Sequence, residues 1–170
     1  MITETDRNWY ALHVKSRHEV TVESELRRKE VDIFLPSVRT ARQWKDRKKF
    51  VDFPLFPGYL FVFIHARPEE YLNVLRTRGV VRLVSSEAGC PAQVSSEEID
   101  SLRLIIESGQ SVDIYTHLSE GTPVRVRRGP LTGAAGLIVK RLDQYIFVVN
   151  VDILGRSVGV NIYADDIESA

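Results

Sequence analysis

The residues best suited to contact another molecule are the cations concentrated between positions 39 and 49. They are Arg39, Arg42, Lys45, Arg47, Lys48 and Lys49, with one acid, Asp46, and one aromatic residue, Trp44, among them. Basic side chains at a loop tip can contact phosphates, and an aromatic ring there can stack on an unpaired base. A solvated loop that protects a strand edge from aggregation has the same composition. Charge alone therefore leaves nucleic-acid binding and simple solvation both open.

A second group of residues is aromatic and comprises Trp9, Tyr10, Phe56, Tyr59, Phe61 and Phe63. Side chains alternate along a strand, so Tyr59, Phe61 and Phe63 are predicted to share one face. Phe61 and Phe63 fit a hydrophobic core. Phe56 and Tyr59 flank Pro57-Gly58, where the strand is interrupted, and we expect them to be exposed as a protein-docking patch.

The sequence predicts neither catalytic nor metal-ligating residues, nor a cofactor. Cys90 is the single cysteine, and the four histidines are scattered without the spacing of metal ligands. The glycine-rich segment from Gly129 to Gly136 lacks the Gly-Lys-Ser/Thr ending of a phosphate-binding loop, so we interpret it as a β-turn. We therefore expect a binding protein rather than an enzyme.

Composition sets the class of protein and of partner. The 170 residues include 23 basic and 23 acidic side chains, for a formal net charge of zero. This balance favours a protein partner with only local nucleic-acid contact, because proteins that hold duplexes alone are usually more basic. No apolar run approaches the roughly 20 residues of a membrane helix, and no secretory signal is visible. We expect a cytoplasmic protein without membrane contact.

The elements that position these residues follow from periodicity. Strands are predicted at 9–15, 34–42, 50–64 (interrupted by Pro54 and Pro57) and 80–84. Three helices are predicted. The first starts at the capping-box spacing of Ser16 and Glu19, the second after Pro68, and the third runs from Ser95 to Ser108. This order indicates an α+β sandwich with helices packed on an antiparallel sheet, over residues 1–108. Residues 109–119 are interpreted as a linker, and the short β-rich runs of 120–170 as a small barrel.

Ordered fragments along the whole chain resemble the NusG family. WYALHVKSRHE is similar to the family's opening strand and helix, FPLFPGYLFV (53–62) to its F-P-G-Y strand, and TRGVVRLV (77–84) to the following turn and strand. PAQVSSEEI (91–99) resembles the entry to the last helix of the N-terminal (NGN) domain. EGTPVRVRRGPLTGAAGLI (120–138) resembles the KOW motif, and VDILGRSVGVNI resembles the closing strands of its barrel.

The resemblance implies a transcription elongation or antitermination factor that suppresses pausing or termination. Its NGN domain would bind the clamp helices of the largest RNA polymerase subunit, and its KOW barrel would recruit a ribosome or the termination factor Rho. By position, the polymerase-binding residues would be Trp9, Tyr10, Phe56 and Tyr59. The residues facing the non-template DNA strand would be Lys15, Arg28, Lys29, Thr77 and Arg78, with Arg42, Lys45, Arg47 and Lys48 of the basic stretch. Leu131, Ile153, Leu154 and Arg156 would form the KOW partner surface.

Two further interpretations remain at this stage. PLFPGYLFV, TRGV and the compact basic stretch resemble the specialised RfaH-like and UpxY-like antiterminators more than the general factor, which usually has an aromatic residue where Leu154 stands. The alternative class is a ribosome-associated or RNA-binding KOW protein, favoured by the barrel and the basic stretch but not by the complete N-terminal pattern. In either case we expect a monomer.

Overall fold

The computed structural model describes residues 6–86 and 89–170. Its contacts divide the chain into two compact units, Met1–Val94 and Ser95–Ala170. The sequence interpretation placed the end of the first domain at residue 108 instead. The helix between these two boundaries packs with the strands of the second unit, and this packing accounts for the difference.

The described residues of the first unit form nine helices and strands. They are β1 (Arg7–Val14), α1 (Glu19–Arg28), β2 (Asp32–Phe34), β3 (Ser37–Trp44), β4 (Arg47–Pro54), β5 (Tyr59–His65), α2 (Pro68–Leu75), β6 (Val80–Leu83) and β7 (Gln93–Val94). One sheet has the order β2-β5-β1-β6, with β7 also paired to β1. Strands β3 and β4 form a separate two-stranded sheet. The predicted antiparallel sheet is confirmed, with two of the predicted strands each divided into two.

One face of the main sheet carries the core of the first unit. Alternate residues Tyr10, Leu12 and Val14 of β1 point to this face and pack with Leu60, Val62 and Ile64 of β5. Val22 and Leu26 of α1 and Val74 of α2 complete the cluster, and each of these three is fully buried. Because both helices cover this face, the alternate residues of β1 and β5 must lie on the other one.

The predicted capping box at Ser16 is wrong. Helix α1 begins at Glu19, with His18 as its N-cap and no side chain capping it. The Glu19 carboxylate instead accepts a hydrogen bond from the backbone N–H of Gly58 at 2.8 Å. Glu19 therefore ties the start of α1 to the turn before β5 and is not available to cap its own helix.

The second unit contains one helix and six strands. They are α3 (Ser96–Glu107), β8 (Asp113–Thr116), β9 (Thr122–Val126), β10 (Ala135–Arg141), β11 (Gln144–Val151), β12 (Arg156–Ile162) and β13 (Ile167–Ser169). The strands form an antiparallel sheet in the order β13-β9-β10-β11-β12-β8. The helix predicted from Ser95 is confirmed, and a capping box starts it: the Ser95 hydroxyl accepts from the Glu97 N–H and the Glu98 carboxylate accepts from the Ser95 N–H.

Helix α3 packs against strands β10 and β11. The Ser101 hydroxyl accepts the backbone N–H of Ala135 at 3.0 Å, and Arg125 pairs with Glu97 at 2.7 Å. Four consecutive residues of β11, from Ile146 to Val149, are buried, so this strand is covered on both faces. Burial, and then the neighbouring Asp152 carboxylate, raise the pKa of Glu98 at the start of α3.

Two local features shape the sheet of the second unit. The segment predicted as a linker contains β8, which pairs with β12 over residues 113–116. Gly136 allows a close strand approach, because a Cβ atom there would lie 2.3 Å from the Val148 carbonyl oxygen.

Among the residues that the structure describes, no helix has the length and apolar character needed to cross a bilayer.

Candidate functional site

The sheet face opposite the core of the first unit is rich in aromatic side chains. Residues of β1 and β5 pair in register as Trp9 with Phe63 and His13 with Tyr59. The Trp9 and Phe63 ring centroids lie 5.1 Å apart, and the His13 and Tyr59 rings stack at the same separation. The register places Tyr59, Phe61 and Phe63 on one face, as alternation predicts. We call Trp9, His13, Tyr59, Phe61 and Phe63 the aromatic face.

The expectation that Phe56 is exposed is wrong. Its side chain is only 3% exposed and meets the Phe61 ring edge-on, at a centroid distance of 6.4 Å. The backbone holds it there, because the Leu55 N–H donates to the Pro36 carbonyl oxygen and the Tyr59 N–H donates to the Phe56 carbonyl oxygen. Tyr59 is half-buried and remains accessible.

Tyr10 does not belong to the aromatic face. Neighbouring residues of a strand point to opposite faces of the sheet. Tyr10 therefore points into the core, whereas Trp9 lies on the aromatic face. It is 1% exposed and meets the Tyr71 ring at 5.8 Å in an edge-on arrangement. Burial, followed by the interaction with Tyr10, raises the pKa of Tyr71 to about 12. Tyr10 therefore supports the sheet from inside.

Sequence reasoning missed His13 as a member of the aromatic face. Its ring stacks on Tyr59, and its Nδ1 atom is buried without a hydrogen-bond partner among the described residues. Alternation along β1 puts His13 on the same face as Trp9. The pairing register of β1 with β5 is also needed to place it beside Tyr59. That register depends on a pairing of strands about 50 residues apart, which a single sequence does not show.

Lys15 and Arg78, two of the residues predicted to face DNA, lie close together where β1 ends, and Lys29 contacts Thr77 in the same turn as Arg78. The Lys15 N–H donates to the Gly79 carbonyl oxygen at 2.8 Å, which brings Lys15 next to the turn that contains Arg78. The Lys29 ammonium donates to the Thr77 hydroxyl at 2.9 Å. Gly79 is required at this point, because its φ is +97° and a Cβ atom would lie 3.0 Å from Val22.

The members of this group differ in how available they are. Lys15 and Arg78 are exposed and form no ion pair with a described residue. Arg28 is exposed but pairs with Glu25 at 2.9 Å. Thr77 is 4% exposed and its hydroxyl also donates to the Asn73 carbonyl oxygen, so the expectation that it faces DNA is not supported by its placement. We call Lys15 and Arg78 the strand-end cluster.

The basic stretch forms the β3–β4 hairpin. Its strands pair from Ser37 with Pro54 to Trp44 with Arg47. The predicted DNA-binding residues Arg42, Lys45, Arg47 and Lys48 are all exposed. The structure therefore leaves this part of the predicted site open to solvent, in a sheet separate from that of the aromatic face.

The predicted partner surface of the second unit is divided by burial. Ile153 and Leu154 are half-buried in a short 3-10 turn, and Arg156 is exposed just after it. Leu131 is 2% exposed, which contradicts its expected place on an accessible loop. The Ala134 N–H donates to the Leu131 carbonyl oxygen, and this turn directs the Leu131 side chain inward.

The described residues contain no group of three or more His, Cys, Asp or Glu side chains that could hold a metal ion. Cys90 is an exposed free cysteine.

Comparison with known proteins identifies relatives of this chain. A transcription termination/antitermination protein NusG of Chlamydia trachomatis serovar D is 29% identical over 171 residues, covering 94% of this chain and 91% of the relative. The protein of the same name from Chlamydia pneumoniae is 30% identical over 139 residues, covering 81% of this chain and 73% of the relative. A solved structure titled "Domain interaction in Thermotoga maritima NusG" matches with a TM-score of 0.56 and 23% identity, covering 98% of this chain and 99% of that one.

The Thermotoga maritima likeness shows the fold, an α+β N-terminal unit followed by a β-rich unit. The family model described as transcription termination factor NusG matches residues 7–103, which include β1, the aromatic face and most of α3. This match spans more than half of the chain, and so the chain belongs to the NusG family of transcription factors.

Proposed function

We propose that this transcription elongation and antitermination factor binds the clamp helices of the largest RNA polymerase subunit through its aromatic face. Tyr59 is the principal contact residue; the buried Trp9 packs against Phe63 on the same face, and the buried Phe56 packs edge-on against Phe61. Aromatic side chains at the centre of an interface supply much of its binding free energy. Tyr59 is accessible because it is half-buried, as His13 and Phe63 are, whereas Phe61 is fully buried.

One observation carries the proposal: the aromatic face and the strand-end cluster adjoin each other along β1. The Val14 N–H donates to the Gly58 carbonyl oxygen, next to Tyr59, and the following Lys15 N–H donates to that of Gly79, next to Arg78. A protein-docking surface is therefore continuous with a cationic one. That combination suits a factor bound to polymerase beside the exposed non-template DNA strand.

Contacts to both polymerase and DNA provide a mechanism without catalysis. A ligand shifts a conformational equilibrium only by the difference in its affinity for the two states. A factor that holds the clamp and the non-template strand together would bind the active conformation more tightly than the open, paused one. A difference of about 1–3 kcal/mol, the usual size of regulatory couplings, would suppress pausing about 5- to 150-fold.

The second unit is proposed to recruit a further partner through Ile153, Leu154 and Arg156. These residues lie on and just after one 3-10 turn, which ends at Gly155 with a φ of +59°. Their half-buried and exposed side chains suit a small docking surface for the ribosome or Rho. Leu131 supports the same end of the strands from inside.

We further propose that the chain is a specialised antiterminator rather than the general factor. The support is in the sequence: PLFPGYLFV, TRGV and the cations of the hairpin resemble the RfaH-like and UpxY-like proteins, and Leu154 stands where the general factor usually has an aromatic residue. The protein would act in the cytoplasm as a monomer at selected operons.

Co-purification tests the proposal against the alternative of a ribosome-associated KOW protein. Tagged full-length protein from its own host should retain RNA polymerase, and nuclease treatment should not release it. The matched variant Tyr59→Ala should lose polymerase while remaining folded. Recovery of ribosomes alone, with no polymerase in either sample, would contradict the proposal.

A further inference from the structure

The pairing register of the β3–β4 hairpin divides its side chains between two faces. Residues paired across antiparallel strands point to the same side, and sides alternate along each strand. Trp44 pairs with Arg47, and Arg42 pairs with Lys49, two positions away and therefore on the same side. The opposite side carries the pairs Arg39–Asp52, Ala41–Phe50 and Gln43–Lys48. We call Arg42, Trp44, Arg47 and Lys49 the cationic face of the hairpin.

The two faces differ in net charge. The cationic face, including the pairs Thr40–Val51 and Val38–Phe53 that continue it, carries no acidic residue. Arg42, Arg47 and Lys49 form no ion pair with any residue that the structure describes. On the opposite face Arg39 pairs with Asp52 at 3.5 Å. Lys48 is therefore the cation of that face that forms no ion pair with a described residue. The turn adds Lys45 and Asp46, whose charges offset each other.

The aromatic ring of the cationic face is available for contact. Trp44 is 62% exposed. The Lys49 ammonium lies 5.5 Å from the centre of its ring, and the Arg42 guanidinium lies 4.4 Å from the centre of the Phe53 ring. These contacts hold two of the cations along the face. A shallow groove of about 440 Å³ at the tip is lined by Trp44 and Lys49 together with the turn.

An exposed indole among unpaired cations matches the chemistry of one class of ligand. Single-stranded nucleic acid offers phosphates for the cations and unpaired bases for the ring, and proteins that bind it combine a basic surface with stacking aromatics. A duplex would satisfy the cations but not the indole, because its bases are already stacked on one another.

We propose that the cationic face binds single-stranded nucleic acid, with Trp44 stacked on a base and Arg42, Arg47 and Lys49 on the flanking phosphates. This deepens the proposed function, because it assigns the hairpin's DNA contacts to one of its two faces. It also removes Lys48 from the predicted contacts. A transcribing polymerase exposes single strands of this kind, so the hairpin would add a second contact to that of the strand-end cluster.

Tryptophan fluorescence reports on the stacking directly. The chain contains two tryptophans, and Trp9 is only 7% exposed. Titration of the full chain with a short oligothymidine should quench the emission of Trp44. In Trp44→Phe only Trp9 emits, and its signal should not change. Trp44→Ala should weaken binding about tenfold, measured by anisotropy of a labelled oligonucleotide, because stacking on one base is worth that much.

Two adjacent lysines give a matched comparison of the faces. Lys49→Ala and Lys48→Ala remove the same charge from neighbouring positions of β4, but on opposite faces. Lys49→Ala should reduce the salt dependence of binding, the slope of log K against log salt, by about 0.7. Lys48→Ala should leave it unchanged. Both side chains are exposed, so both variants should keep the circular dichroism of the parent.

Three results would overturn the proposal. The first is binding of oligothymidine without quenching of Trp44, and the second is an equal loss in both lysine variants. The third is preference for duplex DNA or for an acidic peptide such as polyglutamate. The titration contains no polymerase, so its failure beside an intact polymerase pull-down would reject the hairpin assignment and leave the proposed function standing.

Discussion

Replacing the two aromatic residues that flank Pro57-Gly58 should separate polymerase binding from folding. Phe56→Ala removes a ring that is 3% exposed, and deletions of this kind cost about 3–5 kcal/mol. Tyr59→Ala removes a half-buried ring whose stacking on His13 is worth about 0.5–1.5 kcal/mol. The two variants should therefore differ several-fold in their effect on the free energy of unfolding.

Urea unfolding followed by fluorescence measures this difference. With a slope of about 2 kcal/mol per molar, Phe56→Ala should lower the midpoint by about 1.5–2.5 M and Tyr59→Ala by less than about 1 M. Tyr59→Ala should nonetheless lose polymerase in a pull-down, because truncation of an interface anchor costs about 2 kcal/mol or more of binding. A folded Tyr59→Ala variant that retains polymerase as well as wild type would refute the reasoning. So would a Phe56→Ala midpoint within 0.5 M, roughly 1 kcal/mol, of wild type.

Arg78→Ala and Lys15→Ala should each reduce crosslinking to the non-template strand of a paused complex more than they reduce polymerase affinity. Equal crosslinking by the wild type and both variants would reject the strand-end cluster as a DNA contact. Because burial and Asp152 raise the pKa of Glu98 in the folded chain, its contribution to stability is present at low pH and is lost as pH rises through that raised pKa. Glu98→Gln keeps an oxygen for the helix cap and should flatten this decline, raising the urea midpoint at pH 7; an unchanged pH profile would contradict the assignment. Gly136→Ala should destabilise the second unit strongly, because its Cβ atom would lie 2.3 Å from a carbonyl oxygen, and wild-type thermal stability of that variant would show the strand contact to be misplaced.

Local patterns in the sequence predicted much of the fold. The capping box at Ser95 and Glu98 is present because its hydrogen bonds form within one helical turn. The same spacing at Ser16 and Glu19 predicts a capping box that does not form, since Glu19 accepts a hydrogen bond from Gly58, 39 residues away. Spacing identifies the possible interaction, whereas a competing tertiary contact decides whether it occurs.

Burial was the property least accessible from sequence. Alternation predicted the shared face of Tyr59, Phe61 and Phe63, because it depends only on the strand period. The burial of Phe56 and Leu131 depends on turns whose hydrogen bonds direct each side chain inward. The strand β8 within the expected linker depends on its pairing with β12, which lies more than 30 residues along the chain.

A pausing assay with purified RNA polymerase tests the central claim most directly. Full-length protein should shorten pauses and increase read-through of a terminator on a defined template, and Tyr59→Ala at the same concentration should not. Pausing and termination unchanged by the wild-type protein, under conditions where it is folded and the general NusG of the same host is active, would contradict the account.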